Sequence, residues 1–448
     1  MEKYTSRKGK TGIVLDGFRF RQDRQQKHSV SWRCTNYHCS SRCTTDLQIT
    51  EVMKQPTEHN HPPESEKTVQ RHQIRGELKR KATEHLEERP LKMACTEAIK
   101  FESLDFNDAK MLRQSIYRER QKVRPKLPTS MQETCEILNS HESSMVYRID
   151  EEANIVMFAT PESVRFLCST KQMYADGTFY TCPRFFYQMY TFFSFNNGVY
   201  APCVFFLLPN KTRQTYERMM RILLQSFEQT ESDIASEIIH IDLETAMVEA
   251  IKSTSNLQIK FCHFHVRQSW FRKIQALGLV NDYKDVDSEI GSWLKLFFGL
   301  PALEQDMVGD AFAFCLMSRQ PDSEKCTAFA DYMYSTYISE SATFQPSSWT
   351  NQNCEGRTTN ACESFHKHFK DNFASSRPNI FLFLKHLSEE QAKSALKMKV
   401  VTVNRKRKAD REIEEKRIEL INLYKQGQLP IESFLEKIAY KMLPILNL

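Results

Sequence analysis

The chain has 448 residues, 40% of them hydrophobic and 11% aromatic, which predicts a globular protein of two or three domains with a sizeable core. Its net charge of +6 is concentrated in residues 1–33, where nine Lys or Arg accompany three acids, and clustered charge of this kind is typical of phosphate binding. No apolar run approaches the length of a membrane span, the first ten residues lack an apolar signal region, and thirteen cysteines argue against a disulfide framework, so we expect neither a membrane protein nor secretion.

The first domain is predicted to be a small β-rich module that binds zinc. Apolar and charged residues alternate in short strands over 13–20, 29–34 and 46–52. Two thiolates and two imidazoles follow in the spacing Cys-x4-Cys-x19-His-x-His, and four such ligands satisfy a tetrahedral zinc ion that would help a small module to fold. The predicted ligands are Cys34, Cys39, His59 and His61. Cys43 and His38 are competing candidates, and an unliganded polar cluster is the structural alternative.

This pattern resembles the FLYWCH-type zinc finger, including Trp32 before the first cysteine, Cys34, and Arg42 three residues after the second, Cys39. A β-rich zinc module is expected to set a strand into a DNA groove while Lys and Arg neutralise phosphates. The predicted phosphate contacts are Arg19, Arg21, Arg33 and Arg42, with Arg24 in the same cluster. Protein binding is the alternative for this module.

The next segment, 64–143, is predicted to be a charged linker that becomes helical. Residues 62–95 are poor in aromatics, and apolar spacing over 97–123 predicts helices that end before Pro125. The basic run 114–126 suits DNA contact or a solvated helix face. Two edge strands over 144–149 and 154–159 then lead into the core.

A three-strand antiparallel meander is predicted from the apolar runs 166–175, 185–195 and 199–208, which turn residues separate. Asp176 ends the first run. Asp242 ends another strand pattern, 237–242, and Glu363 lies on a predicted helix much later in the chain. Three carboxylates from two strands and a helix suit a pair of Mg²⁺ ions and phosphoryl transfer. Taken singly, each is better explained as a turn or helix-start residue: Asp242 as a helix cap, and Glu363 in a capping box with Asn360.

Several motifs in this region resemble the Mutator-like element (MULE) transposases in content and order. They are Asp176-Gly-Thr-Phe179, 186–190, 202–216, Ile241-Asp-Leu-Glu-Thr-Ala246, Phe261-Cys-His-Phe-His265, Gly278-Leu279, and 357–360 with Glu363 and His366. The resemblance covers about 155–395. It implies a ribonuclease-H-like fold, an Asp-Asp-Glu triad at Asp176, Asp242 and Glu363 that binds Mg²⁺ or Mn²⁺, and a helical insertion between the second Asp and the Glu.

The predicted fold class is therefore α+β, with a β-rich zinc domain at 1–63 and a ribonuclease-H-like mixed α/β domain at 144–395. The helical insertion is placed at about 280–345, and a basic helical tail at 396–448. An amphipathic helix at 212–229 is predicted to cover the sheet.

Further residues are candidates for supporting roles. Cys262 and His265 form Cys-x2-His, which is also found near the site in these transposases; the pair would bind metal or position DNA, or simply be a core cysteine beside a polar histidine. Glu244 is an alternative ligand, or a first-turn acid at a helix N-terminus. Lys367 and Lys370 share a helix with Glu363 and are candidate phosphate contacts.

The basic tail, 393–411, contains the run 404–408 and is typical of a nuclear localisation signal or a DNA arm. The first functional hypothesis is a nuclear DNA transposase that binds double-stranded DNA, compatible with a homo-oligomer on DNA, and cuts and joins strands. The second is a catalytically silent, transposase-derived DNA-binding transcriptional regulator. An intact triad favours the first.

Overall fold

The structure is a computed structural model in which Met1–Leu127 and Pro128–Leu448 form two compact units. The described residues are 1–6, 10–86, 88–123, 125–140, 146–230, 235–350, 360–373, 375–400 and 408–442.

The first unit, Met1–Leu127, begins with an antiparallel sheet in which each strand pairs with the next along the chain. Its strands are β1 (Glu2–Thr5), β2 (Thr11–Leu15), β3 (Phe18–Gln25), β4 (Val30–Cys34), β5 (Arg42–Thr45) and β6 (Val52–Lys54). Ile13, Phe20 and Trp32 form a core on one face. The predicted strand 13–20 is in fact a hairpin, because Asp16 and Gly17 both have positive φ angles and reverse the chain.

The predicted strand 46–52 is wrong over most of its length. The Asp46 carboxylate accepts hydrogen bonds from the backbone N–H groups of Thr50 and Glu51, at 2.7 and 2.8 Å. These bonds close a loop around the aspartate, and pairing resumes only at β6. A short acceptor side chain has therefore overridden the strand pattern.

Three helices follow in the stretch predicted to be linker and connector: α1 (Glu66–Glu84), α2 (Pro90–Ala98) and α3 (Phe106–Val123). They enclose a core of their own that includes Ile74, Leu78 and Leu112. The buried carboxylate of Asp108 pairs with Lys67 and Arg71. Some charged side chains of this segment thus form buried ion pairs, and its three helices pack together although the sequence is polar.

The second unit, Pro128–Leu448, contains a mixed sheet in the order β13-β12-β9-β10-β11-β8-β7. The strands are β7 (Val146–Asp150), β8 (Ile155–Ala159), β9 (Gln172–Thr178), β10 (Gln188–Asn196), β11 (Val199–Leu208), β12 (Ile238–Ile241) and β13 (Gln258–Phe261). β9, β10 and β11 form the predicted antiparallel meander. β12 runs parallel to both β9 and β13, so the ends of these strands share an edge.

The first predicted strand of the meander, 166–175, begins too early. Thr160 caps a helix whose first residue is Pro161, and Thr160 and Ser163 exchange capping hydrogen bonds. That helix takes residues up to Ser169, and β9 starts at Gln172. An apolar run alone does not distinguish a buried helix from a strand.

Helices cover the sheet and, apart from β13, provide the secondary structure of the described residues between Asp242 and Glu363. They are α4 (Met131–Ser140), α5 (Pro161–Ser169), α6 (Arg213–Glu228), α7 (Thr245–Thr254), α8 (His263–Ala276), α9 (Val280–Lys284), α10 (Glu289–Phe297), α11 (Met307–Asp310), α12 (Glu324–Met333), α13 (Pro346–Trp349), α14 (Asn360–Asp371), α15 (Ile380–Met398), α16 (Lys408–Lys425) and α17 (Ile431–Met442). Residues 280–345 contain helices and no strand among their described residues, as predicted. The predicted basic run 404–408 lies outside the described residues except for the start of α16.

Among the helices that the structure describes, none combines the length and the apolar character that crossing a bilayer requires. The largest apolar core instead joins the sheet to α6, α7, α8 and the helical region that follows.

Candidate functional site

The four predicted zinc ligands lie together at one end of the first sheet. Cys34 ends β4, and one ligand atom from each of Cys34, Cys39, His59 and His61 lies within 4.8 Å of the others. The Cys34 Sγ–His61 Nε2 distance is 3.2 Å, and the Cys39 Sγ–His59 Nδ1 distance is 3.4 Å. A tetrahedral zinc with ordinary bond lengths would set sulfur and nitrogen about 3.5 Å apart, so the cluster fits the ion.

The outer hydrogen bonds of the two histidines favour metal binding. The Ser41 hydroxyl donates to the Thr57 carbonyl at 2.6 Å, so its oxygen is free to accept from His59 Nε2 at 3.1 Å. His61 Nδ1 lies 2.9 Å from the Pro62 carbonyl, which can only accept. Both rings therefore carry their proton on the outer nitrogen and direct a lone pair at the cluster.

The thiols and aromatic neighbours agree with this assignment. Burial alone would raise the pKa of Cys39, but backbone N–H groups of Ser41 and Asn60 lower it below its usual value. Phe18 stacks on His59 with ring centroids 3.7 Å apart. The competing candidates lie elsewhere: Cys43 is buried, with its pKa raised to about 12, and His38 is exposed.

The sheet face opposite the zinc core carries a row of arginines. Arg21 of β3 lies opposite Arg33 of β4, and Arg33 lies opposite Arg42 of β5. Like charges placed directly opposite one another on a sheet destabilise it. The counter-charge found there is Asp23, whose carboxylate lies 3.1 Å from Arg42. A row of this kind is suited to an anion with several charges.

Arg19 differs from the other predicted phosphate contacts. Its guanidinium binds both carboxylate oxygens of Glu64, at 2.7 and 2.6 Å, and lies 5.6 Å from the ring centroid of Tyr4. Its charge is therefore already compensated within the unit, and the arginine row consists of Arg21, Arg33 and Arg42.

In the second unit, strand register brings two of the predicted acids together. β12 pairs with β9 in parallel up to His240 opposite Tyr174, and two further residues in the same register place Asp242 beside Asp176. Tyr174 and His240 stack with centroids 4.3 Å apart, so they share a face of the sheet. Side chains alternate along strands, and Asp176 and Asp242 therefore project toward that same face.

Helix α14 brings Glu363 to this face. Cys362 packs with Tyr174 and Phe193 in a small buried cluster, which holds the first turn of α14 over β9 and β10. One turn later, His366 Nε2 lies 3.5 Å from Asp176 Oδ2. The Glu363 carboxylate Oε1 lies 3.4 Å from His265 Nε2 at the start of α8. Whether Asn360 caps this helix depends on a side chain outside the described residues.

The three carboxylates do not form one tight cluster. Among the residues that the structure describes, the only group of three or more ligand residues whose atoms all lie within 4.8 Å is the Cys2His2 cluster of the first unit. Ligands at opposite ends of a two-ion site are separated by the ion spacing and two bond lengths, about 8 Å in total. The three acids therefore do not form a cage for a single ion among the described residues.

Electrostatics show a site with excess negative charge. Burial, and then the neighbouring Asp242 and Glu363 carboxylates, raise the pKa of Asp176 to about 7. Burial also raises the pKa of Asp242 and that of Glu363. Each carboxylate is therefore held where its charged form is disfavoured, and a bound cation would relieve this. Three hard oxygen donors with unbalanced charge fit Mg²⁺ or Mn²⁺.

His265 supplies part of the missing positive charge. Burial acts to lower its pKa, but Cys262, Asp242 and Glu363 raise it to about 9, so the ring is protonated at neutral pH. Cys262 itself is fully buried at the N-cap of α8. The Cys-x2-His pair thus adjoins the three acids as a charged histidine held by a buried cysteine.

Two further neighbours show how the site is supported. α7 begins at Thr245 with Glu244 at its N-cap, so Asp242 lies outside the capping position that was its structural alternative. Glu244 accepts a hydrogen bond from the Tyr216 hydroxyl at 2.8 Å, and Gln188 donates to the same hydroxyl at 2.7 Å. Glu244 is thereby held by the helix that covers the sheet.

The sequence reasoning gave no role to Ser41 and named His366 only as part of a motif. Ser41 orients His59, and His366, buried with neither ring nitrogen in a hydrogen bond, lies against Asp176. The Glu363-x-x-His366 spacing, which puts both side chains on one helix face, was the available signal for His366. Lys367 and Lys370, the candidate phosphate contacts, are exposed on α14, and Lys370 lies over the ring of Tyr180.

Comparison with known families gives two matches. Residues 3–61 match the FLYWCH zinc finger domain, and residues 172–269 match the MULE transposase domain. The first range contains the whole Cys2His2 cluster. The second contains Asp176, Asp242, Cys262 and His265, whereas Glu363 lies beyond it. A search of curated proteins found no match to this chain.

Proposed function

Because this chain combines a FLYWCH zinc finger with a MULE transposase domain, we propose that it is a DNA transposase which binds double-stranded DNA through the first and cuts and joins strands with the second. Both domains support a transposase-like, DNA-binding protein, and nuclear residence follows from a DNA substrate. The observation that carries the catalytic part is the shared face of β9, β12 and α14, where the neighbouring Asp242 and Glu363 carboxylates raise the pKa of Asp176.

The zinc module is proposed to hold DNA with its arginine row. Zinc at Cys34, Cys39, His59 and His61 fixes the end of the sheet, which keeps β3, β4 and β5 in register. Neighbouring strands lie about 4.8 Å apart, so Arg21, Arg33 and Arg42 span roughly 10 Å. Guanidinium groups at this spacing are suited to successive phosphates, and their contacts position DNA rather than read its sequence.

The order β11-β10-β9-β12-β13, with an antiparallel meander followed by two strands parallel to β9, supports the ribonuclease-H-like assignment. This order sets the ends of β9 and β12 side by side, which is the reason that Asp176 and Asp242 become neighbours. The long helical region between Asp242 and Glu363 returns the chain to the same face through α14.

Asp176, Asp242 and Glu363 would hold two Mg²⁺ or Mn²⁺ ions. Such ions, when bound, stabilise the attacking and leaving oxygens of an in-line displacement at phosphorus. The Asp176 carboxylate is held in place for this role: Gly177 N–H donates to Asp176 Oδ1 at 2.9 Å, and Phe193 and Phe365 flank His366 beside the other oxygen. Protonated His265 would face the negative charge of the DNA backbone until the ions are in place.

The test is strand nicking on DNA that carries candidate terminal inverted repeats, with Mg²⁺ or Mn²⁺. Asp176→Asn, Asp242→Asn and Glu363→Gln are each expected to lower the rate at least about 10³-fold, since each removes several kcal/mol of stabilisation of the transition state. Asp287→Asn, at an exposed aspartate in the helical region, is the matched control and should cut normally. Equal signals from wild type and Asp176→Asn would leave the silent DNA-binding regulator as the function.

A further inference from the structure

An exposed group of aromatic side chains lies on the connection between β9 and β10, directly after the strand that carries Asp176. Phe179, Tyr180 and Tyr187 are 47%, 48% and 40% exposed. Phe179 and Tyr187 meet edge to face with centroids 5.2 Å apart. Large aromatic rings usually contribute to the core, and three exposed rings on one short connection therefore require another explanation.

This connection is anchored rather than loose. Cys182 and Phe186, between the exposed rings, are buried in the core that also contains Phe369 and Phe383. The Tyr180 carbonyl accepts a hydrogen bond from the Arg377 N–H at 3.0 Å. The exposed rings are thus presented from a fixed backbone, which limits the entropy lost when a ligand binds them.

Two lysines lie over these rings. Lys370 Nζ is 3.8 Å from the ring centroid of Tyr180, and Lys211 Nζ is 6.0 Å from that of Phe179. Within the described residues, neither lysine forms an ion pair with an acid. The rings and the lysines together, Phe179, Tyr180, Tyr187, Lys211 and Lys370, are called the aromatic patch. It offers flat apolar faces together with unneutralised positive charge.

The aromatic patch adjoins the carboxylate site through three elements. Phe179 lies three residues after Asp176, about 10 Å along an extended strand. Lys370 lies two turns after Glu363 on α14. Lys211 lies just before α6, whose Tyr216 hydroxyl donates a hydrogen bond to Glu244. The same distance of about 10 Å corresponds to roughly three stacked nucleotides.

The chemistry of the aromatic patch indicates which kind of ligand it binds. Bases in a duplex are stacked on one another and present only their edges, so exposed aromatic faces cannot reach them. Unpaired bases do expose their faces, and aromatic rings beside a positively charged track are the usual means of binding single strands without sequence preference. Enzymes that act on duplex DNA also open it locally when the reacting atoms are otherwise hidden.

We propose that the aromatic patch binds unpaired nucleotides of the strand that is cut, with Phe179, Tyr180 and Tyr187 stacking on bases and Lys211 and Lys370 contacting the flanking phosphates. This inference deepens the proposed function and depends on it for the identity of the strand. It adds that the transposase domain engages an opened DNA end, and that the scissile phosphate is held by nucleotides on one side of the carboxylates.

The test is binding of the full zinc-loaded chain to a fluorescein-labelled oligothymidine of about ten nucleotides, without added Mg²⁺, measured by anisotropy. Tyr180→Ala and Phe179→Ala are each expected to weaken binding about fivefold or more, because stacking of one base on an aromatic ring has that value. Tyr180→Phe keeps the ring and should bind like wild type. Phe314→Ala, which removes a ring that is 74% exposed elsewhere in this unit, is the matched control.

The proposal is overturned if the alanine variants bind oligothymidine as wild type does, or if Phe314→Ala weakens binding equally. It is also overturned if Tyr180→Ala leaves DNA binding unchanged but abolishes self-association in sedimentation, since the patch would then bind another protein surface. If the chain does not nick DNA but its binding of oligothymidine still depends on the aromatic patch, the patch is a single-strand binding site and only the proposed nuclease activity is rejected.

Discussion

All four residues of the zinc cluster come from one small sheet and the loop that follows it, whereas the three acids come from β9, the end of β12 and α14 of another unit. The four residues of the first set lie close together in the sequence, within residues 34–61. The second depends on a sheet and on a helix reached through a long helical region. The difference indicates that the first site organises its own surroundings, while the second is organised by a fold that already exists.

The two sites also differ in how well their groups are satisfied. In the zinc cluster, Ser41 and Pro62 direct the lone pairs of His59 and His61 inward, and burial lowers the pKa of His59, which keeps that ring neutral. In the carboxylate site, Asp176 is buried beside other acids and its pKa is raised to about 7. Ionisable groups whose charged form is disfavoured are typical of functional sites, whereas groups with satisfied hydrogen-bond or charge partners are typical of structural sites.

The largest effect expected from this difference is loss of the first sheet when zinc is removed. Structural zinc sites in small modules bind with about 10–16 kcal/mol of free energy that is also folding free energy. Chelation of the full chain, or Cys34→Ala, should therefore expose the amides of β2, β3 and β4 to fast hydrogen exchange. The amides of β9–β11 should keep their protection.

His38→Ala is the matched control for this experiment, since His38 is exposed and lies next to the cluster in sequence. It should leave exchange unchanged. Slow exchange of β2–β4 in the chelated chain would show that the sheet needs no zinc, and the contrast between the two sites would fail.

A smaller effect is expected at Ser41, whose hydroxyl orients His59. Ser41→Ala removes the acceptor for His59 Nε2–H and should weaken zinc binding about 10- to 100-fold, as loss of an outer hydrogen bond to a ligand histidine usually does. Competition with a chromogenic chelator measures this. Ser40→Ala, at the exposed neighbour, should bind as wild type does. Equal affinities for both variants would leave His59 oriented by Phe18 alone.

In the carboxylate site, removal of a charge should stabilise the fold rather than weaken it. Asp176→Asn keeps an acceptor for the Gly177 N–H and removes one of several buried negative charges, so we expect a gain of roughly 1–2 kcal/mol without added Mg²⁺. Thermal unfolding of the zinc-loaded chain measures it. The Asp287→Asn control should change stability by less than about 0.5 kcal/mol. A loss of stability in Asp176→Asn would mean that the carboxylate is structural.

The sequence predicted the cluster of Cys34, Cys39, His59 and His61 because their spacing is local, but Ser41 acts through the orientation of His59, which spacing does not encode. The neighbouring positions of Asp176 and Asp242 followed from two strand ends, whereas the contact of His366 with Asp176 required the packing of α14 on β9. The sequence predicts a linker over 62–95, where α1 and most of α2 lie, because ion pairs such as that of Arg71 with buried Asp108 look like solvated charge in the sequence.

The smallest expected effect concerns the arginine row, where three positive charges of the first unit lie side by side and repel one another. Arg33 lies between Arg21 and Arg42, so Arg33→Gln should relieve repulsion while it removes one phosphate contact. DNA affinity should fall similarly for all duplex sequences, and the slope of log affinity against log salt should decrease by about one. Lys27→Gln, in the connection between β3 and β4, removes the same charge away from the row and should alter the slope less. An unchanged slope in Arg33→Gln would favour a protein partner for this face, and the zinc cluster would then support a surface with no direct part in holding DNA.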